Sequence, residues 1–296
     1  MRSDLPEVRG SYRFDAPLGK TNWFGVGGNA EVLFKPEDTA DLAHFLKYKP
    51  QNLPLTVIGV GSNLIVRDGG IEGVVIRLGR GFTDIQIEGD VLAAGAAAMD
   101  VHVANFAAEH GRAGLEFLSG IPGTIGGALA MNAGAYGRDM AAVLLRAEAV
   151  TPEGEIITLT LAEMHYAYRH YGGPTGLIFT RGWLQTTADD AQQITARIAE
   201  IKASREATQP IRERTGGSTF KNPDGAKAWE LIDKAGCRGL QVSGAQMSEL
   251  HCNFMINTGG ATAADLENLG EEVCARVLAA TGMSLEWEIR RIGRAK

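Results

Sequence analysis

The spacing of apolar and polar positions predicts short strands and amphipathic helices in alternation over the first half of the chain. Residues 38–48 and 100–110 carry apolar side chains at helical spacing, and Gly111 is the expected C-terminal cap of the second helix. Short apolar or alternating runs predict strands at residues 55–60, 74–78, 84–88 and 91–94.

The second half of the chain predicts a hairpin, a long helix and a smaller α+β unit. Residues 147–151 and 155–159 alternate around a Pro-Glu-Gly turn, and residues 190–205 place Ile194, Ile198 and Ile201 on one helical stripe. A polar junction follows near residue 212. The remaining elements are predicted as a helix near 226–235, a strand at 254–257, a helix at 263–280 and a strand at 285–292.

Length and charge narrow the class of protein. A chain of 296 residues that is 45% hydrophobic can bury a full core and is long enough for about two domains. The net charge of −6 gives no basic surface of the kind that binds nucleic acid. The N-terminus lacks the apolar stretch of a signal peptide and no run is long enough to span a membrane, so we expect a cytoplasmic protein with no membrane insertion.

The cysteine pattern makes a disulfide framework or a zinc site improbable. Cys237, Cys252 and Cys274 are odd in number, far apart and without a Cys-x-x-Cys pair, so buried free thiols are expected. His251 precedes an apolar strand without ligand partners at metal-binding spacing, which favours a structural or substrate-contact role. We therefore predict no metal site.

Glycine is the most informative part of the composition, since the 38 glycines are well above the usual share of about 7%. The standard nucleotide motifs fail: Gly19-Lys20-Thr21 lacks the first glycine of a P-loop, and residues 25–30 lack the apolar strand that precedes a dinucleotide fingerprint. Three glycine segments remain, at residues 21–30, 59–64 and 120–128. Their backbone N–H groups can form anion nests, although each segment alone is also explained by tight turns.

Three blocks in order, GVGSNLIVRDGGIEGVVIRL, GLEFLSGIPGTIGGALAMNAGAYG and TGGSTFKNP, resemble the signature blocks of the MurB family. The resemblance covers residues 22–290. It implies an α+β fold in which a two-lobed FAD-binding domain of the vanillyl-alcohol-oxidase (PCMH) type precedes a smaller α+β substrate-binding domain. We place the first domain at residues 1–207, with its lobes split near residue 80. The second is placed at 208–296, with its last strand returning toward the flavin.

The same resemblance implies FAD as cofactor, NADPH as co-substrate and UDP-N-acetylglucosamine enolpyruvate as the substrate that is reduced to UDP-N-acetylmuramate. No histidine occurs between Met1 and Ala43 to tether a flavin, so FAD is expected to be non-covalent. The residues that the resemblance assigns to the cofactor are Gly59, Gly61, Ser62 and Asn63 at the pyrophosphate, and Gly120, Ile121, Pro122, Gly123, Thr124 and Gly127 along it.

By the same resemblance, Ser218 is the proton donor for the α carbon after hydride reaches the β carbon. A serine hydroxyl is a weak acid, but the carbanion formed here is a strong base. A serine after two glycines usually only satisfies a turn, and the neighbouring Thr219 is a competing hydroxyl; the FKNP continuation selects Ser218.

The resemblance adds Arg169 and Glu288 to the catalytic set, and Lys221 and Asn222 as substrate contacts. A planar guanidinium suits a carboxylate whose charge grows in the transition state. Glu288 either polarises that carboxylate when protonated or orients Arg169 when ionised, while pattern alone favours a solvated strand face. Relatives commonly carry a serine two places after the arginine, where this chain has Tyr171, so the local contacts of Arg169 are expected to differ from theirs.

Two other functions stay open at this point: another flavin oxidoreductase such as an oxidase, and a nucleotide-sugar-binding protein without turnover. The FKNP block and the missing tethering histidine argue against an oxidase, and the presence of Ser218, Arg169 and Glu288 argues against a protein that only binds. The chain after residue 159 is too short to hold a large insertion before the long helix. This predicts the shorter type of the family, which lacks the tyrosine-bearing loop over the substrate. We expect a monomer.

Overall fold

The structure, a computed structural model, describes residues 4–296; Met1–Ser3, the start of the predicted FAD-binding domain, lie outside the described residues. The chain forms two compact units, each built from separate stretches. The first unit contains residues 4–13, Leu33–Gly59 and Gly73–Ala203, and the second contains Phe14–Val32, Val60–Glu72 and Ser204–Lys296. The predicted domain boundaries near residues 80 and 208 stay predictions.

Runs of consecutive strands are separated by single helices, as expected for an α+β chain. The helices are α1 (Thr39–Tyr48), α2 (Asp100–Glu109), α3 (Ile125–Met131), α4 (Ala191–Thr208), α5 (Ala228–Lys234) and α6 (Ala263–Thr281). The strands are β1 (Ser11–Pro17), β2 (Asn29–Lys35), β3 (Leu55–Val57), β4 (Leu64–Val66), β5 (Ile71–Ile76), β6 (Ile85–Glu88), β7 (Val91–Gly95), β8 (Arg112–Ala113), β9 (Gly134–Ala135), β10 (Arg138–Asp139), β11 (Leu144–Val150), β12 (Ile156–Thr160), β13 (Ile178–Gln185), β14 (Thr187–Ala188), β15 (Thr215–Ser218), β16 (Gln241–Val242), β17 (Ala245–Met247), β18 (Phe254–Asn257) and β19 (Arg290–Ile292). The larger sheets have the strand orders β1-β2-β5-β3, β12-β11-β13-β7-β6 and β15-β18-β17-β16.

The first unit is centred on the antiparallel sheet β12-β11-β13-β7-β6. Its core residues include Leu92 of β7 and Ala147 of β11, which are fully buried. Helix α3 lies against β13, where a Cβ on Gly182 would be 3.5 Å from both Ile125 and Leu129. The predicted hairpin is confirmed, since β11 pairs antiparallel with β12. The sheet and the two short helices α2 and α3 thus enclose one apolar core.

In the second unit, α6 packs against β16 and β17 of the sheet β15-β18-β17-β16, and α5 packs against α6. Helix α6 begins with a capping box between Thr262 and Asp265 and ends at Gly282, whose φ is 71°. Its buried stripe, at the helical spacing that predicted it, consists of Leu266, Leu269, Val273 and Val277. Gly270 belongs to the same stripe because a Cβ there would lie 2.2 Å from the Trp287 ring.

Side chains from residues 60–72 fasten that early stretch to the C-terminal part of the second unit. The Asp68 carboxylate accepts hydrogen bonds from the N–H groups of Ala263 and Ala264, both at 3.1 Å, at the start of α6. Arg67 pairs with Glu267 at 2.9 Å, and β4 pairs in parallel with β19. The early stretch is therefore an integral part of the C-terminal unit.

Two strand predictions need correction. The strand predicted at 55–60 ends at Val57, because the chain turns at Gly59-Val60-Gly61, where Gly61 has φ 71°. The strand predicted at 285–292 is regular only at Arg290–Ile292. Before it, an isolated bridge joins Trp287 to Phe220. Residues 286–288 hydrogen-bond to residues 219–221, which lie beyond the end of β15, so no continuous strand ladder forms.

The three cysteines are free thiols in the structure. Cys237 and Cys252 are buried as expected, whereas Cys274 is half-buried, and burial raises the pKa of each thiol, that of Cys274 to about 11. Within residues 4–296, no helix combines the length and the apolar character that crossing a bilayer requires. The same part of the chain contains no cluster of three metal-ligating His, Cys, Asp or Glu side chains.

Candidate active site

Ser218 and Glu288 are brought together in the second unit by the backbone of Thr219. Ser218 is the last residue of β15, directly after Gly217 in the left-handed region with φ 79°. The Thr219 carbonyl accepts a hydrogen bond of 2.8 Å from the Glu288 N–H. Both Ser218 and Glu288 are half-buried. Two of the three predicted catalytic residues, 70 positions apart in sequence, therefore lie on paired segments.

The two neighbouring hydroxyls of this segment have different environments. Thr219 is fully buried, and its Oγ1 accepts a hydrogen bond of 3.2 Å from the Met255 N–H. Ser218 retains part of its exposure. The hydroxyl of Thr219 is therefore committed to the protein interior, whereas that of Ser218 can meet a ligand.

Asn63, predicted at the cofactor pyrophosphate, is adjacent to Glu288. Its side-chain N–H donates to the Glu288 carbonyl at 3.2 Å, and its own carbonyl accepts from the Arg290 N–H at 3.1 Å. The preceding Gly61 packs so closely on Asn22 that a Cβ would lie 2.8 Å from its Cα. Asn22 was not predicted, although it lies in the first glycine segment; its amide binds the carbonyls of residues 18 and 26 and shapes that segment.

The predicted substrate contacts Lys221 and Asn222 follow on the same segment. The Lys221 ammonium pairs with Glu286, whose carboxylate is exposed. The side-chain oxygen of Asn222 accepts a hydrogen bond of 3.0 Å from the Ala228 N–H, at the start of α5. One polar atom of Asn222 is thus used to hold the helix, which leaves its N–H₂ group for a ligand.

The second group of predicted cofactor residues lies in the first unit, around Thr124. This residue is buried, and a Cβ added to Gly59 would be 3.2 Å from its Oγ1, while one on Gly127 would be 3.8 Å away. Gly59 and Gly127 are themselves exposed. Two exposed glycines beside a threonine hydroxyl leave room for a cofactor to approach the main chain closely and to bind its polar groups.

The rest of this predicted cofactor loop is anchored by Ala96, Asp100 and Tyr136. Gly123 accepts a hydrogen bond from the Asp100 N–H at 3.1 Å, and Gly126 donates to Ala96 at 2.8 Å. Gly120 is packed against Tyr136, where a Cβ would be 2.7 Å from the aromatic ring. The predicted residues Ile121 and Pro122, both half-buried, lie between these anchors.

Arg169 occupies a tight turn in the first unit and has a left-handed φ of 53°. Its guanidinium donates to the Gly134 carbonyl at 2.6 Å and lies 5.1 Å from the centre of the Tyr168 ring. The turn is also stabilised by Asn132, a buried residue from another part of the chain, whose side chain donates to the Ala167 carbonyl at 3.0 Å. A non-glycine residue in this conformation is costly and is typical of functional sites.

Asp100 is a buried carboxyl that the sequence did not single out. It is fully buried as the first residue of α2, and neither carboxylate oxygen has a hydrogen-bond partner among the described residues. Removal from water raises its pKa well above the usual range, against the weaker stabilisation of a negative charge by the helix N-terminus. Folding therefore favours the protonated carboxyl over the carboxylate.

We expect Asp100→Asn to flatten the pH dependence of stability. Because the folded protein keeps a proton that the unfolded chain loses above about pH 4, the free energy of unfolding falls as pH rises, by up to about 1.4 kcal/mol per pH unit from this group. Urea unfolding at pH 5, 6.5 and 8 measures the slope, with the exposed Asp224→Asn as the control variant. An unchanged slope in Asp100→Asn would show that Asp100 is ionised in the folded protein.

His251 has a structural role here. Its Nδ1 accepts from the Asn253 N–H at 3.3 Å, and its ring lies edge-on to Phe254 at 4.7 Å. Burial lowers its pKa, which favours the neutral imidazole that this contact requires. The structural one of its two predicted roles thus has direct support.

Comparison with known proteins adds evidence independent of this geometry. The profile of the UDP-N-acetylenolpyruvoylglucosamine reductase C-terminal domain matches residues 209–292, and an FAD-binding-domain profile matches residues 30–160. The UDP-N-acetylenolpyruvoylglucosamine reductases of Parvibaculum lavamentivorans and Gluconobacter oxydans are 62% and 58% identical to the chain. Each alignment covers 99% of this chain, with 94% and 96% of the respective relative.

The chain belongs to the UDP-N-acetylenolpyruvoylglucosamine reductase family. It is an FAD-dependent oxidoreductase of peptidoglycan precursor synthesis, as the resemblance implied. The crystal structure of the family member from Thermus caldophilus superposes with a TM-score of 0.83 at 34% identity, covering 96% of this chain and 99% of that one. That match and the FAD-binding profile confirm the α+β fold with an FAD-binding domain of the PCMH type.

The shorter type within this reductase family is also confirmed. Between β12 and β13 the chain has only a 3-10 turn at Ala162–Met164 and the tight turn that carries Arg169. No α-helix or regular strand is inserted among these described residues. A reductase of this family with so short an interval has no tyrosine-bearing loop at this point.

Proposed function

We propose that the protein catalyses the NADPH-dependent reduction of UDP-N-acetylglucosamine enolpyruvate to UDP-N-acetylmuramate in the cytoplasm, acting as a monomer. The observation that carries this proposal is the pairing of the Ser218 segment with Glu288, next to Asn63, within the second unit. Family membership supports the same reaction.

When bound, FAD would supply the hydride chemistry that connects NADPH with the β carbon of the enolpyruvyl group. Its proposed contacts in the second unit are Gly61, Ser62 and Asn63; in the first unit they are Gly59, Gly120, Ile121, Pro122, Gly123, Thr124 and Gly127. The exposed backbone beside Thr124 supports this assignment. Without a histidine in the first 43 residues, we propose that FAD is held by non-covalent contacts alone.

Ser218 is the proposed proton donor to the α carbon. Ser218 is half-buried at the end of β15, and the residue after it, Thr219, is bonded into the interior. A fixed hydroxyl can protonate a strongly basic carbanion faster than solvent does, because its orientation is set before the charge develops.

Arg169 and Glu288 are proposed to act on the substrate carboxylate. The guanidinium of Arg169 supplies fixed positive charge and parallel donors for a group that gains negative charge. Its position is set by the turn and by the contact with Gly134. Glu288 has its backbone fixed by Thr219 and Asn63, which gives its carboxyl a defined starting point. Lys221 and Asn222 are proposed donors to the diphosphosugar.

The deciding experiment is a pair of anaerobic half-reactions with the purified FAD-loaded protein. NADPH is expected to bleach the flavin absorption band, and UDP-N-acetylglucosamine enolpyruvate is then expected to restore it with formation of UDP-N-acetylmuramate. A band that returns only with oxygen would identify an oxidase instead. A protein that binds the nucleotide sugar without any change in the band would be a binding protein without turnover.

A further inference from the structure

Asn253 is a buried asparagine in the short turn before β18, and it was not predicted as a site residue. It is 4% exposed. Its Oδ1 accepts from the Phe220 N–H at 3.1 Å, and its Nδ2 donates to the Phe220 carbonyl at 2.9 Å. Its own carbonyl accepts from the Thr219 N–H at 2.7 Å. Asn253 therefore binds three of the four backbone polar groups of Thr219 and Phe220, the two residues directly after Ser218.

These bonds replace a sheet ladder that has been interrupted. In the pairing of β15 with β18, Thr215 faces Ile256 but Ser218 faces Phe254, so the first strand carries one extra residue. Beyond Ser218 the strand pairing ends, and the backbone of Phe220 would be left without partners on this side. The amide of Asn253 supplies both a donor and an acceptor there, as a neighbouring strand would.

We propose that Asn253 is the positioning residue for the proton donor, fixing the segment from which Ser218 presents its hydroxyl. The segment is hydrogen-bonded on one side to Asn253 and on the other to the backbone of residues 286–288. On that second side, the Lys221 N–H donates to the Glu286 carbonyl and the Glu288 N–H donates to the Thr219 carbonyl, both at 2.8 Å. This inference rests on the proposed function, because it assigns Asn253 a role through Ser218.

The amide of asparagine is specifically suited to this position. It offers a donor and an acceptor at the same time and carries no charge into the buried site. Aspartate has the same size, but its ionised carboxylate only accepts, so it repels the Phe220 carbonyl. Alanine leaves both Phe220 groups buried and unsatisfied.

The test separates the two half-reactions in Asn253→Ala and Ser218→Ala, singly and combined. We expect Asn253→Ala to slow flavin reoxidation by the enolpyruvyl substrate by about 10²-fold, because a displacement of roughly 1 Å is enough for such a loss. Reduction by NADPH and FAD affinity should remain within about twofold of the parent. In the Ser218→Ala background the same substitution should cause no further loss of reoxidation rate.

The control variant is Gln241→Ala, which removes another amide hydrogen bond, to Ser243, within the same unit. Equal slowing of both half-reactions by Asn253→Ala, or an equal further loss in the Ser218→Ala background, would mean that Asn253 only supports the fold. If Ser218→Ala itself leaves reoxidation unchanged, the proton-donor assignment fails first, and this inference fails with it. If Ser218→Ala is slow but Asn253→Ala is not, only this inference fails.

Asn253→Asp keeps the test decisive if the alanine variant does not fold. As a neutral acid at low pH it can both donate to and accept from Phe220, and it loses the donor when it ionises. Its reoxidation rate relative to the parent is therefore expected to fall as pH rises. His251, which contacts Asn253, is present in both proteins, and so is Glu288 across the segment. A pH-independent ratio would contradict the inference.

Discussion

Replacing Ser218 with alanine is expected to slow reoxidation of the reduced flavin by UDP-N-acetylglucosamine enolpyruvate by about 10²–10⁴-fold. The substitution removes the proposed proton donor while leaving Gly217, Thr219 and the bonds to Asn253 in place. Reduction by NADPH should be unaffected, because it requires no proton at the α carbon. Stopped-flow absorbance of each half-reaction measures the two rates separately.

A matched control is Ser284→Ala, which removes an exposed hydroxyl in the same unit. It should leave both rates at the parental value. A rate of reoxidation in Ser218→Ala equal to that of the parent would remove Ser218 from the mechanism. Loss of NADPH reduction together with reoxidation would instead indicate that the cofactor had been disturbed.

The second large effect is expected from Arg169→Lys, which keeps the charge and removes the planar fork. We expect kcat to fall by about 10²–10³-fold, the usual effect of losing one oriented donor to a developing anion. Loss of the 2.6 Å bond to Gly134 also frees the side chain from its fixed position. Steady-state kinetics over a range of substrate concentrations separates kcat from KM.

Arg146→Lys is the appropriate comparison, since that arginine lies in the same unit and stacks on Trp183 at 4.6 Å without a proposed role. It should change neither constant. An Arg169→Lys enzyme that is impaired only in KM would show that the arginine binds the carboxylate equally in the ground state and the transition state.

The elements that the sequence predicted well are those whose determinants are local. Helix α6 has its capping residues, its apolar stripe and its terminal glycine within about twenty consecutive positions, and β18 is a short apolar run. The strand predicted at 285–292 extends too far because its partner is an irregular segment some 65 residues away, and no local pattern records that irregularity.

The candidate site divides in the same way. Ser218 and the glycine loops lie in recognisable blocks, so resemblance was enough to select them. Asn253, Asn132 and Asp100 are polar residues beside apolar runs, a pattern that most often indicates a turn or a helix start. The roles of Asn253 and Asn132 depend on Phe220 and Ala167, each more than 30 residues away, and Asp100 is distinguished only by its burial in the folded chain.

The discontinuous second unit has a consequence for synthesis on the ribosome. Phe24 and Ile65 are synthesised early but belong to the core formed with α5, α6 and β18. Their apolar surfaces therefore cannot be buried in this core until those later elements have been synthesised. Asn63 likewise gains its partner Glu288 only after 225 further positions have been translated. The second half of the proposed flavin cradle is therefore completed only after Glu288 has been translated, and we expect cofactor loading to be a late event in synthesis.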